Sequence, residues 1–427
     1  MTKNDLAWST FFEETDTLET ILHKGFAYVS ATDLKNIGKR EPRLMAKHDT
    51  LRQRPKIFRE NNIVLFPVRN GEYVLFLDSA KKSYYEFSRQ ELEIPVSVYQ
   101  SKVDLYQFDS YPGSQNFSES QAIDFAFISS LFKTFVGDKN LSLSIRGRMY
   151  SGKFDFLLPL SNHKINVSGV QIEVDAGYES PNAIYLLEAK VGRRKDFNIR
   201  QLYYPYLEWS HRSKKRIVPI FLAYSHSKYY FYEFNLSKNF GELGLKKSAC
   251  YSINESPVAR VNLSTLLRST KVEKEPVCPY PQANDLDKII DLITFLDSGE
   301  RNKEKIAEYF EFNERQGDYY GNAGRYLGFL KKDNARFKLT KLGKAFVEIR
   351  SPSEKTTVII KQLLKRPTFR KAIQNLFDKN YKLDKINNTE ISSIIANNTI
   401  LTGSTPARRA STVRKWLSWI LQNGIFS

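Results

Sequence analysis

The chain is poor in the residues from which compact metal or redox sites are usually built. Its 427 residues include only two cysteines, Cys250 and Cys278, and five histidines. Two cysteines cannot make a disulfide framework, nor a zinc site by themselves. His23, His48, His163, His211 and His226 show no metal-ligand spacing. No serine or cysteine triad signature occurs, and no glycine-rich loop of the kind that cradles nucleotide phosphates, so ATP is not an expected cofactor. No apolar run approaches the roughly 18 residues of a membrane span. The N-terminal stretch MTKNDLAWSTFFEETD is acidic and lacks the basic-then-apolar order of a secretion signal. Internal repeats and low-complexity tracts are missing as well. A reduced, cytosolic protein without a membrane partner is the expectation.

What is present is a globular composition, 41% apolar and 13% aromatic, on a chain long enough for two to four domains. The formal net charge of +18 favours a polyanionic partner, because every Lys or Arg that meets a phosphate releases counterions. A basic but otherwise ordinary protein is the bland alternative.

Three regions follow along the chain. In residues 1–105, Ile63–Phe66 and Tyr73–Leu77 flank Asn70-Gly71 and read as a β-hairpin. Just before them lies a dense basic run that includes Arg40, Arg43, Lys47, Arg52 and Arg54. Such a run is either a solvated face or a nucleic-acid contact surface. Residues 106–275 begin with an amphipathic helix capped near Ser118. Strand candidates follow at 141–146, 154–158, 170–175 and 184–190, then a helix over about 195–211, a continuously apolar strand at 216–224 and an alternating one at 228–234. This order predicts an α/β core with a mixed sheet. The proline-rich stretch 271–288 reads as a linker. Residues 276–427 predict a mostly helical region with one lysine-rich ribbon. That region holds 26 Lys plus Arg against 16 Asp plus Glu, so 10 of the 18 excess positive charges.

The chemistry concentrates in EVDAGYESPNAIYLLEAK, residues 173–190. Asp175 ends one strand, Glu188 lies near the end of the next, and a hairpin between them can bring both carboxylates to one ion. Mg²⁺ needs little more than two carboxylates, a carbonyl and waters. Glu188 and Lys190, two apart on a strand, point to the same face. The ammonium can then contact a phosphate and orient the attacking water. The opposing reading is a solvated charged hairpin, but Leu186, Leu187 and Ala189 flank Glu188. Buried charges are costly unless paired or metal-bound. Asp155, one strand earlier, competes with Asp175 for the metal role.

The pattern D-x(n)-E-x-K on consecutive strands, followed by a helix, resembles the PD-(D/E)XK nuclease superfamily, with Val174 where the superfamily often has proline. The resemblance implies roles for two more residues. Glu119, on the helix before the sheet, stands where an additional metal-supporting glutamate is common, although a helix first-turn glutamate is also stabilised by the helix dipole alone. Gln201, in RQLYYPY, resembles the Q-x-x-x-Y element of related exonuclease-like members. The segment 313–346 is similar to the winged-helix part of certain type II restriction endonucleases, and portions of the N-terminal region are similar to the same group.

The resemblance implies a prokaryotic, cytoplasmic, Mg²⁺-dependent endonuclease, with Mn²⁺ able to substitute. Its substrate would be double-stranded DNA cut at specific sites, and symmetric cleavage would imply a homodimer. Arg315, Gln316, Tyr319, Asn322 and Arg325 are the candidates for a face that enters a major groove, where Arg reads guanine and Gln reads adenine. Lys331, Lys332 and Arg336 are candidate phosphate contacts from the ribbon. Arg408, Arg409 and Arg414 are candidates on the final helix, for which Ser411 is a potential cap. Two alternatives stay open: a repair or modification-dependent nuclease, and a DNA-binding regulator with an inactive nuclease-like core.

Overall fold

The computed structural model describes residues 2–111, 117–158, 161 and 163–426. Two short helices, Lys3–Glu13 and Thr17–Lys24, pack, the first through Trp8, Phe11 and Phe12 and the second through Ile21, onto a three-stranded sheet made by Phe26–Ser30, Glu72–Leu77 and Ile63–Arg69, in that spatial order. The hairpin strands read as nearly continuous apolar runs because both their faces are covered. Leu65 and Leu75 face the N-terminal helices, while Val64, Phe66, Val74 and Phe76 join the core of the next unit. The basic run is therefore anchored to the neighbouring sheet by the hairpin behind it.

That neighbour is a seven-stranded mixed sheet. In chain order its strands are β1 (Val96–Tyr99), β2 (Ser142–Tyr150), β3 (Gln171–Glu179), β4 (Ala183–Val191), β5 (Arg216–Ser225), β6 (Lys228–Leu236) and β7 (Leu243–Ile253). In space they run β1-β7-β6-β5-β4-β3-β2. Strands β3 and β4 form an antiparallel hairpin, and β4 runs parallel to β5. Parallel neighbours need a crossover, here helix α2 (Arg200–Arg212). Tyr203, Tyr204 and Leu207 of α2 cover one face of the sheet. The opposite face is covered by helix α1 (Glu119–Ile128), through Ala122, Ile123, Phe125 and Ala126. Ser118 caps α1, accepting a hydrogen bond from the backbone N–H of Gln121 at 3.2 Å. The helical periodicity that continues past 128 is broken at Ser130, which adopts φ 65°, and a second short helix follows at Leu131–Val136.

Strand β1 lies N-terminal to residue 105 yet pairs with β7, so the sheet draws on the first region of the chain. At the other end, Ala259, Val261 and Leu263 pack into the C-terminal core, ahead of the proline-rich stretch. That stretch is not a free tether. Glu273 pairs with Arg366 at 3.0 Å, and Glu275 accepts hydrogen bonds from Tyr326 and Thr368 at 2.6 Å.

The C-terminal unit opens with α3 (Leu286–Phe295), α4 (Lys303–Tyr309) and α5 (Glu314–Tyr326). A three-stranded ribbon closes it, in which Arg336–Leu339 pairs with both Arg301–Asn302 and Leu330–Asp333. Helices α4 and α5 touch closely at Gly317, where an added Cβ would stand 2.1 Å from the carbonyl oxygen of Lys303. Further helices follow, ending in α6 (Thr405–Asn423), whose Trp416 and Leu417 are buried. Helix α6 starts at Thr405, with Pro406 in its first turn, because proline suits a position whose N–H has no helical partner. Ser411 therefore lies inside the helix rather than at its cap. None of the described helices is long and apolar enough to cross a membrane.

Candidate functional site

The site forms where β3 and β4 separate. Their pairing runs from Glu179 opposite Ile184 to Ala176 opposite Leu187 and stops there, one step before Asp175 and Glu188. On its other side β3 is bulged: Ile145 faces Gly177 and Gly147 faces Val174, so Asp175 and Ala176 together oppose Arg146 alone. The extra residue shifts the alternation. Ile172 and Val174 pack on the α2 face, whereas Ala176 and Tyr178 pack on the α1 face. Asp175 stands at the switch. One carboxylate oxygen accepts the N–H of Ala189 at 2.8 Å, which bridges the strands where the ladder has ended.

All nine residues of β4 are buried, including Glu188 and Lys190. Nζ of Lys190 lies 2.6 Å from Oε1 of Glu188, and Nε2 of Gln201 donates to the same oxygen at 2.7 Å. Gln201 sits in the first turn of α2, so the crossover helix fixes the orientation of the Glu188 carboxylate. Oε1 of Gln201 is buried without a partner. Glu119, at the start of α1, completes the group electrostatically, its charge acting on Lys190 and Asp175. The five residues that sequence reading singled out are thus brought together.

The charges do not balance within this group. Burial pushes the carboxyl of Glu188 up to about 8, with Asp175 and Glu119 adding to the rise and Lys190 opposing it. Burial also raises Asp175 and Glu119 above the ordinary carboxylate range. Lys190 is held well above the usual lysine value, because four carboxylates, Glu188, Glu311, Glu119 and Asp175, outweigh its own desolvation. An excess of buried carboxylate over cation is the electrostatic setting that a divalent ion relieves. The oxygen-only donor set and the orphaned amide oxygen of Gln201 fit a hard ion such as Mg²⁺. Among the described residues, no group of three His, Cys, Asp or Glu stands close enough together to hold a metal unaided. Asp175 and Glu188 are the residues here that could hold such an ion, with other ligands completing its shell.

Asp155 is removed as a rival by its position. It is exposed on a separate two-stranded ribbon, Lys153–Leu157 with Lys164–Ser168, and pairs with Lys164 at 2.9 Å.

The basic candidates divide. Arg43, Lys47 and Arg52 are exposed on the N-terminal unit, and Arg40 donates to Oδ1 of Asn4 at 2.7 Å. Arg54 is turned inward, its guanidinium 5.2 Å above the Tyr84 ring, which makes it a packing residue. On α5, Arg315 is exposed over the Tyr319 ring at 5.5 Å, with Gln316 half-buried beside it. Arg409, on α6, has its pKa lowered by burial, by Arg408 and by Arg315, with Tyr319 opposing, so Arg409 lies near the Arg315–Tyr319 pair of α5. Asn322 and Arg325 do not belong to that face. Asn322 is buried and bonds to Asp318, and Nη1 of Arg325 donates to Asn322 Oδ1 at 2.8 Å. Arg414 is also committed internally, with both Nη atoms on the carbonyls of Ile386 and Leu383. On the ribbon Lys331 is exposed, Lys332 pairs with Asp318 at 2.7 Å, and Arg336 pairs with Glu300 at 3.1 Å.

Two functional candidates escape sequence reading. Arg194 follows β4 by three residues, and Glu311 lies in the turn between α4 and α5. They pair at 3.3 Å beside Lys190. The basic triplet Arg193-Arg194-Lys195 directly after the E-A-K motif was a usable signal for the first. The second depends on long-range packing alone.

His48, next to Lys47, is buried against Phe58. Burial, with Arg54 adding, pushes its pKa down to about 3 from 6.5. Below pH 6.5 the unfolded chain binds a proton that the folded chain refuses, so this contribution to stability is lost as pH falls from 6.5 towards 3. His48→Phe is expected to flatten the fall in unfolding free energy over that window by about 1.4 kcal/mol per pH unit. Urea melts at a series of pH values measure it, and parallel slopes for the two proteins would contradict it.

Three family models match successive parts of the chain, each described as a domain of unknown function: DUF6996 over residues 5–75, DUF6997 over 79–252 and DUF7226 over 288–424. The second of these spans the whole carboxylate site apart from Glu311, which lies within the third. No curated protein and no solved structure matches the chain.

Proposed function

We propose that the chain is a Mg²⁺-dependent endonuclease that hydrolyses double-stranded DNA at specific sequences, of the type II restriction kind, with a PD-(D/E)XK catalytic unit. The observation that carries this reading is the convergence of Asp175, Glu188 and Lys190 at the bulged, opened end of the β3–β4 hairpin, with Gln201 of the crossover helix bonded to Glu188. Bound through Asp175 and Glu188, the metal supplies neutralisation of the scissile phosphate and a more acidic water. The N–H of Ala189 holds the Asp175 carboxylate in place, and Gln201 holds that of Glu188. Lys190, kept protonated by the surrounding carboxylates, orients the water and meets the phosphate. Glu119 adds negative charge at the rim. Mn²⁺, also a taker of oxygen ligands, is expected to substitute.

The C-terminal order of helix, short strand, two helices and ribbon is that of a winged helix-turn-helix, which supports a DNA-reading role for the exposed start of α5. Arg315, Gln316 and Tyr319, flanked by Arg408 and Arg409, are the proposed base and phosphate contacts. Arg43, Lys47 and Arg52 would track the backbone beside the carboxylate site. Two copies cutting opposite strands would give symmetric cleavage. Digestion of methylated and unmethylated phage DNA separates this reading from a modification-dependent nuclease: cutting confined to methylated DNA would overturn it.

Metal binding has its own readout. A ligand that binds only the folded chain stabilises it by about 2.7 kcal/mol at a hundredfold excess over its dissociation constant. MgCl₂ is therefore expected to raise the melting temperature of the wild-type protein, and Glu188→Gln to abolish most of the rise. Equal shifts in both proteins would place the ion elsewhere.

A further inference from the structure

Glu311 is an unusual residue for the place it occupies. It sits in the turn between α4 and α5 with φ 54°, a left-handed backbone that glycine or asparagine adopts at less cost than glutamate. Strain of this kind persists where the surroundings over-determine it. Here the surroundings are cations of another unit. The Glu311 carboxylate, largely buried, lies 3.3 Å from the guanidinium of Arg194, and its charge is also felt by Lys190 and Lys47. The adjacent Phe310 seats the turn, its ring being 3.4 Å from the position a Cβ would take on Gly192, just beyond the end of β4. A loop of the C-terminal unit thus places an anion against Arg194 and close to Lys190, the cation of the carboxylate group.

Lys190 has no evident need of a further anion. Lys190 already has Glu188 at 2.6 Å, with Glu119 and Asp175 close by. Arg194 is almost fully buried and so needs a counter-charge; besides facing Glu311, its Nη1 lies 3.4 Å from the carbonyl of Gly192. Glu311, as a fourth carboxylate beside Lys190, makes the local excess larger in the absence of metal. What Arg194, Lys190 and Lys47 together suit is the phosphate of a strand passing over the carboxylate site, since a guanidinium matches a phosphate in two-pronged geometry.

We propose that Arg194 is a phosphate-binding residue of this site, and that Glu311 holds its guanidinium in place of a DNA phosphate until DNA displaces the turn. This rests on the reading of the carboxylate site as a DNA site. It adds a residue to that site and a means by which binding at α5 is communicated to it, because Glu311 and Arg315 lie on the same turn and helix start. DNA that engages the α5 face moves the turn, frees Arg194 and lets the strand settle against Lys190.

The test uses the full chain in EDTA, so that nothing is cut, with a fluorescein-labelled duplex as probe. Glu311→Gln keeps the shape and removes the charge. It is expected to bind the duplex roughly fivefold more tightly than wild type, at the lower end of ordinary coupling between sites. On an Arg194→Gln background the same change is expected to give no gain. Unchanged or weaker binding by E311Q would overturn the proposal, as would failure of both proteins to bind duplex DNA. A second measurement needs no variant. In wild type, amide hydrogen exchange over residues 310–313 is expected to speed up when duplex saturates the protein, whereas unchanged or slower exchange overturns the displacement. A chain that shows both effects yet never cuts DNA with Mg²⁺ would refute the catalytic reading and leave this one standing.

Discussion

Glu188→Gln is expected to lower Mg²⁺-dependent DNA cleavage by on the order of a thousandfold, while duplex binding in EDTA stays within a few-fold of wild type. Glutamine preserves the volume and an acceptor oxygen for Lys190 and Gln201, but it removes the charge that would hold the ion. Stability should respond in the opposite direction. Because burial pushes the Glu188 carboxyl up to about 8 from 4.5, its neutral form is the one the fold prefers. The stability it contributes is complete below pH 4.5 and is lost as pH rises through 8. In EDTA, E188Q should therefore gain melting temperature relative to wild type as pH is raised from 5 to 8. Lys190→Ala should abolish cleavage too, but with a loss of stability, since it strands the surrounding carboxylates. The pair of variants separates chemistry from folding. Cleavage retained by either one would remove the assignment of the site.

Asp287→Ala is expected to cost about 3–5 kcal/mol of folding stability, the range for removing one partner of a buried ion pair. Asp287 of α3 is almost wholly buried between the sheet and the C-terminal unit. It accepts from Nε1 of Trp419 at 2.7 Å, contacts Nδ1 of His226 at 3.1 Å, and faces Nζ of Lys228 at 3.6 Å. Burial disfavours its charge, but Lys228 and the hydrogen bonds from His226 and Trp419 overcome that, holding its pKa below the ordinary range. His226 and Lys228 frame the β5–β6 turn, and Trp419 belongs to α6, so one carboxylate joins three elements. The next turn of α3 repeats the device: Asp291 accepts from Ser225 Oγ at 2.5 Å and from the His226 N–H at 3.0 Å. Asp287→Asn keeps an acceptor for Trp419 and should cost less than alanine. Denaturant midpoints measure both, and a loss below about 1 kcal/mol for alanine would mean that this contact does not hold the two units together.

The central strands of the sheet and the grouping of Asp175, Glu188 and Lys190 were readable because each rests on local chemistry, whereas β1 and β7 were not anticipated and the candidate strand at 154–158 lies in a separate ribbon. β4 announces itself as a buried strand through IYLLEAKV, and two charges two residues apart in such a strand need partners. The parallel strand β5, by its unbroken apolar run, and the crossover helix between them follow from the same periodicity. The bulge at Asp175 was not readable, since nothing in VDAG marks the point where two residues face one across the ladder. Its effect is nevertheless decisive, because it brings Asp175 round to the point where β3 and β4 part. Long-range packing also decided the basic residues. Asn322 and Arg325 share helical spacing with Arg315 and Tyr319, yet Asn322 is turned into the unit and takes Arg325 with it. Arg414 lies in the same basic stretch as Arg408 and Arg409, but two backbone carbonyls of a neighbouring turn claim it. Glu311 could not be placed at all from sequence, because its partner Arg194 is more than a hundred residues away, in a different unit.

Short strands also pair across the boundaries that composition suggests. Composition placed the second boundary at the prolines near 276, whereas Ala259–Val261 already pairs with Gly424–Phe426 at the end of the chain. A strand of three residues carries no compositional mark, so only its partner reveals the unit to which it belongs.

The most direct measurement is incubation of the purified full chain with phage or plasmid DNA in Mg²⁺ and, in parallel, in EDTA. The account predicts a reproducible set of discrete fragments with Mg²⁺ and intact DNA with EDTA. DNA that is bound but left intact in Mg²⁺ and in Mn²⁺ would contradict it.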